Sequence, residues 1–433
     1  MVRRASVEKA LAACLLVSLA IYLWGDAPFT ASGASPAIWP SFVPELPRQQ
    51  SSRRWGLEVH VIGCNRPIAM TTLLEQLNAP DYSLTPEVDV SLWVHVDHCK
   101  GKEEVVRAAR AFTWVGGRTA VEVQEAQRGL REMWFGIFEG VQQRGVKETM
   151  VLVLEDDMVI APLFLVWLNN VVQRYFPTPG GRDKAVVGVS LSPVRVMEMK
   201  KPFVRWHGVK HTKDSVYLTN LPSSWGPAYW SDSVSDFVPY ARERMRYHNW
   251  TGEAKFDRNW GVDLKLQPKE LEVPGAYSNV WPTSWKKHLI EYMYGRGQVM
   301  LYPNFKHEEG YATTLALAGE HSSGSRNDRV SNLTTPLKAL PEPAPCEGRA
   351  VACSSPFAGL DVYDIYMNPT TREALESQGK AFLATVPAKY ALLKAFWQGR
   401  IFSKEDCAAG DLSCFGAAAG GGGGGGGGEE GNT

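Results

Sequence analysis

The chain has 433 residues, is 44% hydrophobic, and carries 46 Lys and Arg against 46 Asp and Glu. That is enough apolar material for one large or two moderate domains. The charge balance argues against a general nucleic-acid binder, which shows a basic excess or patch. Fifteen Trp are present, several beside Gly, Pro and Ser in predicted loops, where such rings either line an organic ligand or plug a core edge.

Arg3, Arg4 and Lys9 precede an apolar run over 10–24 that is broken only by Ser18. A signal-anchor, a cleaved signal and a soluble helix all fit that length, because the run is short for a span. The small residues at 31–34 lie several positions beyond its end, which favours an anchor over 10–25, with 1–9 cytosolic and the remainder lumenal. Residues 26–54 are rich in Pro, Ser and Ala and read as a stem. Seven cysteines occur and none forms a CxxC pair. With Cys14 in the anchor, Cys346/Cys353 and Cys407/Cys414 are candidate local disulfides among several connectivities.

The globular part opens with a predicted strand over 57–63, then Cys64, Asn65, Arg66 and Pro67, with a helix over 68–77. Proline near a helix start leaves an anion-friendly terminus, and Arg66 adds a cation to it. A second strand, 90–96, ends at Asp97, His98 and Cys99. Helical stretches over 103–112 and 134–143 lead into 150–154, five consecutive apolar residues delivered straight into Glu155, Asp156 and Asp157. Such a run reads as a strand buried on both faces. Carboxylates cannot stay unpaired inside a sheet, so these belong at the strand's exit, the crevice where open α/β sheets bind ligands. Adjacent carboxylates repel unless a cation joins them, and a hard divalent ion holding substrate phosphates is one such cation; a solvated acidic turn is the bland alternative.

Further on, 163–175 is a predicted helix and 185–191 a strand, whereas 194–220 shows no clear period. Residues 222–230 read as an aromatic loop that closes over a ligand or seals a core edge. Residues 279–293 open and continue a helix, 299–301 form a short strand, and His307 after it is a candidate metal ligand or a plain surface histidine. Asn332 is an acceptor pattern for N-linked sugar if the chain is lumenal. Residues 339–356 look irregular, 370–397 modestly helical, and the glycine run at 420–428 disordered. The expected organisation is a catalytic domain over 55–335, a Cys-containing extension over 336–419 and a Gly-rich tail over 420–433.

Taken together, 58–310 resembles the GT-A glycosyltransferases, and within them is most similar to the Golgi N-acetylglucosaminyltransferase I type. The resemblance is carried by 61–67, with its Cys-Asn-Arg turn, by Val96 to Cys99, and by Val153 to Asp157, a Glu-Asp-Asp form of the family's metal motif. Ser224, Trp225, Gly226 and the Trp281-Pro282 turn stand in the order of its ligand-closing loops. It implies a GT-A type α/β fold, a nucleotide-sugar-binding, mostly parallel sheet flanked by helices. Asn65, Arg66, Asp97, Glu155 and Asp156 would face a nucleotide-sugar donor, UDP-linked and with N-acetylglucosamine as the suggested sugar, while Asp157, with His307, would hold Mn²⁺ or Mg²⁺. The implied setting is a single-pass type II Golgi membrane protein acting on a glycan or glycoprotein.

One departure matters. The family keeps an acid pair just after the Trp-Pro turn, and Lys286-Lys287 stand there instead. An inverting transfer needs a group to take the acceptor hydroxyl's proton. Glu291 is the first substitute, with Asp263 and His288 behind it, although Glu291 is equally a helix residue paired with Lys287 at four-residue spacing. The lysines, with His288 and Arg296, also hint at an anionic acceptor. Two other classes stay open: a nucleotidyl- or phosphotransferase, and a non-catalytic lumenal glycan-binding or scaffold protein.

Overall fold

The computed structural model describes residues 53–247, 268–281, 284–315, 336–338 and 357–399. Twelve described strands fall into two sheets. The four-strand half that carries the site is wholly parallel: β3 (Arg118–Val123), β2 (Val88–Val96), β1 (Trp55–Gly63) and β4 (Thr149–Glu155), side by side in that order. Beyond β4 the sheet continues through β8 (Pro227–Trp230), β6 (Val186–Ser190), β9 (Val299–Pro303), β7 (Val216–Thr219), β11 (Val362–Tyr363) and β12 (Pro369–Thr370), with antiparallel pairs mixed in. The second sheet is β5 (Met158–Ile160) paired antiparallel with β10 (Ala312–Thr314).

Side-chain alternation along the strands divides the core in two. Leu57, Val59 and Val61 of β1 and Leu152 and Leu154 of β4 face α1 (Pro67–Leu77), α2 (Lys102–Ala111) and α4 (Phe164–Tyr175). Ile62, Val151 and Val153 face the opposite layer, α3 (Gly129–Arg144), α5 (Ser231–Arg246), α6 (Trp285–Arg296), α7 (Arg372–Thr385) and α8 (Ala391–Trp397). The expected α/β architecture with helices on both faces is therefore present, and β4 is buried on both sides as its composition requires.

Three expectations change. Residues 227–230 are a central strand, not a loop: Pro227 sits at the first strand position, where its missing N–H costs little, and four residues are too few to show alternation. Residues 362–397 are no extension to a domain ending at 335, because β11 pairs with β7 in the same sheet and α7 packs on α6 through Leu383 and Gly295. Strand β3 was missed altogether. Among the described residues no helix is long and apolar enough to cross a membrane; the expected anchor at 10–25, Asn332, the distal cysteines and the glycine run lie outside them.

Candidate active site

The parallel register brings three strand exits to one edge. Gly63 is level with Val96, and Ile62 with Glu155. The Asp97 N–H donates to Gly63 O and the Asp156 N–H to Ile62 O, each at 2.9 Å, so the polar segments leave the sheet side by side. A Cys64–Cys99 disulfide, with Cα atoms 5.9 Å apart, ties the exits of β1 and β2 together. The sequence reading left these two cysteines unassigned, and their spacing of 35 gives no local signal.

Arg66, at the N-terminus of α1, turns its guanidinium onto the acids. It donates to Asp156 and, at 3.3 Å, to Asp157 Oδ2. Both Arg66 and Asp157 remain partly exposed, at 26% and 21% of their side chains, whereas Asp156 is buried. One guanidinium thus serves a triplet of carboxylates. Burial, with Asp157 nearby, pushes the Glu155 carboxyl up to about 8, against a hydrogen bond from Trp134 Nε1 at 3.3 Å. Burial also raises Asp156 to about 6, with Arg66 pulling the other way. Asn65 is exposed beside them.

Asp97 has a different task from the one expected. Its Oδ1 accepts from the His98 and Arg128 N–H groups and its Oδ2 from the Gly129 N–H, each at 2.8 Å. With 6% exposure and three backbone donors, it holds the entry to α3 and has little capacity left for a nucleobase.

The chain returns to the acids through β10. The Leu315 N–H donates to Asp157 O at 2.7 Å, so it is Leu315 that arrives beside Asp157, while His307 is exposed in the turn after β9. Among the described residues no three His, Cys, Asp or Glu side chains are grouped to hold a metal. A small divalent ion fits such a place only as Mg²⁺ or Mn²⁺ does at phosphates, through one or two carboxylates with the substrate completing the shell. The undercompensated triplet suits that mode.

Two of the three substitutes for a base are out of an acceptor's reach. Glu291 and His288 are fully buried in α6. Arg244 Nε and Nη2 donate to the two Glu291 oxygens at 3.0 and 3.1 Å, and Lys287 lies 3.8 Å away. Burial alone would raise Glu291, but Arg244, His288 and Lys287 hold it well below the usual carboxylate range. Burial pushes His288 down to about 4. Asp263 lies outside the described residues. The lysines are no basic surface either: Lys287 donates to Asn279 O at 3.1 Å, and Lys286 donates to both oxygens of Glu198 at 2.8 and 2.9 Å.

That last pair borders a narrow cleft of about 10 Å³, lined by Arg195, Glu198, Ser223, Ser224, Trp225 and Lys286 among others. It opens on the same sheet edge, since β6 is antiparallel to β8 and β8 to β4. Gly226, just past Trp225, packs so closely that a Cβ there would meet Ala312 Cβ at 2.8 Å. From Ala312 to Leu315 the chain rises roughly 10 Å to Asp157. A second link is aromatic: Trp134, bonded to Glu155, stacks on Trp285 at 3.9 Å, and Lys286 follows. Sequence reasoning missed Glu198 because its segment carries no periodic signal.

No protein-family model and no curated protein matches the chain. Among solved structures it is similar to S. aureus TarS 1-349, at 13% identity and a TM-score of 0.33, covering 60% of each chain. The same protein in complex with UDP-GlcNAc gives 13% identity and 0.33, covering 62% of this chain and 61% of that one. The mannosyltransferase PcManGT from Pyrobaculum calidifontis, in complex with GDP-Man and Mn²⁺, gives 15% identity and 0.28, covering 45% and 53%. The chain thus spans about half to three fifths of these proteins, and scores of this size assign no family.

Proposed function

We propose that the chain is a glycosyltransferase that binds a nucleotide-sugar donor at the exits of β1 and β4 and a glycan or glycoprotein acceptor along the same sheet edge, beside Trp225. The observation that carries this reading is the pairing of Arg66 with Asp156 and Asp157 at the parallel strand exits, on the same sheet edge as Glu198 and Trp225. Sugar transfer from a nucleoside diphosphate places growing negative charge on the leaving group, and preorganised cationic groups stabilise it. Arg66 is this chain's own cation there. A divalent ion held by Asp157 and the donor's phosphates would supply the rest of that stabilisation. Glu198, 16% exposed and paired with Lys286, would take the acceptor's proton in place of the buried Glu291. Trp225 offers an aromatic face to a sugar ring.

The motif resemblance supports a UDP donor and the N-acetylglucosaminyltransferase I type within this class. The Cys64–Cys99 disulfide supports an oxidising compartment, consistent with a type II Golgi protein anchored through 10–25. Protease protection in sealed microsomes tests that placement; digestion from the cytosolic side would refute it. The burial of Glu291 and His288 favours a second reading, a glycan-binding protein without chemistry. Hydrolysis and transfer across a panel of UDP- and GDP-sugars, with and without Mn²⁺, separate the two. One donor consumed only with metal, and not by Asp157→Asn, supports the transferase; no turnover of any donor with glycan acceptors present supports the binding protein.

A further inference from the structure

We propose that the loop between β6 and β7 is a docking surface for an anionic glycan, so that the acceptor is a sugar chain carrying sulfate, phosphate or carboxylate groups. This deepens the transferase reading by naming its acceptor class and rests on that reading only for the word acceptor. The whole chain balances acids and bases, yet residues 194–213 contain six Lys or Arg, two His and a single acid, Glu198. The loop leaves the sheet at the end of β6 and re-enters at the start of β7, which is antiparallel to β9, so it stands on the same edge as the acidic triplet and the Trp225 cleft.

Two guanidinium groups and a histidine converge on one carboxylate. Arg195 and Arg205 meet Glu308 at 3.2 and 2.9 Å, and His207 is bonded to it as well. Glu308 is held in the left-handed region, at φ 57°, next to a second, water-sized gap of about 10 Å³ that it lines with Asn304 and Trp206. Arg195, itself buried, also lines the Trp225 cleft and so joins the Glu308 cluster to the proposed acceptor site. Beyond it, Lys201 Nζ lies 3.5 Å from the Phe203 ring centre and 4.2 Å from that of Tyr277, and Phe203 meets Tyr277 edge-on at 5.6 Å. Cations interleaved with upright rings suit a charged sugar chain, whose ring faces stack while its anions pair. A lipid surface is the competing occupant of a basic patch with apolar residues. Phe203 is 43% exposed but fixed edge-on to Tyr277 with Lys201 over its ring, a cation–ring pair rather than a side chain free to insert, and Val204 and Val209 are the loop's other exposed apolar residues.

The test is binding of the full chain to a heparin-derived octasaccharide, its desulfated counterpart, and vesicles with and without phosphatidylserine, repeated with Lys200→Glu/Lys201→Glu/Lys210→Glu. The expected result is binding to the sulfated chain at least about tenfold tighter than to the neutral one, weakening with salt and falling by a further tenfold or more in the variant. Equal binding to both oligosaccharides, no binding to either, or no change in the variant with an unaltered melting curve would overturn the proposal. Stronger binding to phosphatidylserine vesicles than to the sulfated chain would replace it with a membrane surface. Donor hydrolysis measured on the unaltered chain reports on the transferase reading alone, so sulfated-glycan binding without hydrolysis removes the enzyme and keeps the surface.

Discussion

The acidic exit of β4 and the interior of α6 both hold carboxylates in buried surroundings, and their neighbours make them opposites. At α6, Glu291 has Arg244 on both oxygens with Lys287 and His288 beside it, and no part of the cluster reaches solvent. At β4, three acids share Arg66, the proton affinity of two rises, and Asp157 and Arg66 face outward. A compensated cluster holds helices together. An undercompensated one at a crevice suits a cation or a ligand that brings one, which is why the catalytic role is proposed for the second.

The comparison breaks first on stability. Glu291→Ala leaves Arg244 and Lys287 buried without their carboxylate and should cost about 3–5 kcal/mol in urea unfolding. A loss below 1 kcal/mol would mean the α6 cluster is not the support described. Asp157→Asn should behave in reverse, lowering sugar transfer by about 10²–10³-fold while the urea midpoint stays put; equal damage to folding would erase the distinction.

The pH dependences should have opposite sign. Glu291 is depressed below its ordinary 4.5, so its contribution is present above that value and is lost as pH falls. Glu155 is raised from 4.5 to about 8, so its contribution is full below 4.5 and is lost as pH rises through 8. In metal-free buffer, Glu155→Gln should therefore flatten the decline in melting temperature between pH 5 and pH 8. A decline as steep as that of the unaltered chain would show that Glu155 does not titrate there. The smallest effect belongs to Trp134→Phe, which removes one hydrogen bond to Glu155 while keeping the ring against Trp285. About 1 kcal/mol is expected from thermal unfolding, and a loss of 3 kcal/mol or more would make Trp134 part of the core support instead.

Much of the β4 side was legible because its signals are local. Five apolar residues before three acids, Pro67 after Arg66, and polar residues at the ends of two strands each identify an exit, and the parallel register does the rest. The α6 side was not legible. Lys287 and Glu291 at four-residue spacing look the same on a solvated helix as inside a protein, and only Arg244, 47 positions away, shows which it is. Asp97 misled for a related reason: its donors at Arg128 and Gly129 lie about thirty residues downstream, and no pattern in the strand announces them. Glu198 and β8 stayed hidden because short irregular segments carry no period. The anionic-acceptor idea began on Lys286 and Lys287, which are buried, and the exposed cations that support it lie between β6 and β7.

The central claim, that the exits of β1 and β4 form a nucleotide site completed by a divalent ion, is tested most directly by calorimetric titration of UDP with and without Mn²⁺, on the unaltered chain and on Asp157→Asn. Metal-dependent binding that disappears in Asp157→Asn is the expected result. Binding that ignores both the metal and the substitution, or no binding of UDP under any condition, would contradict it.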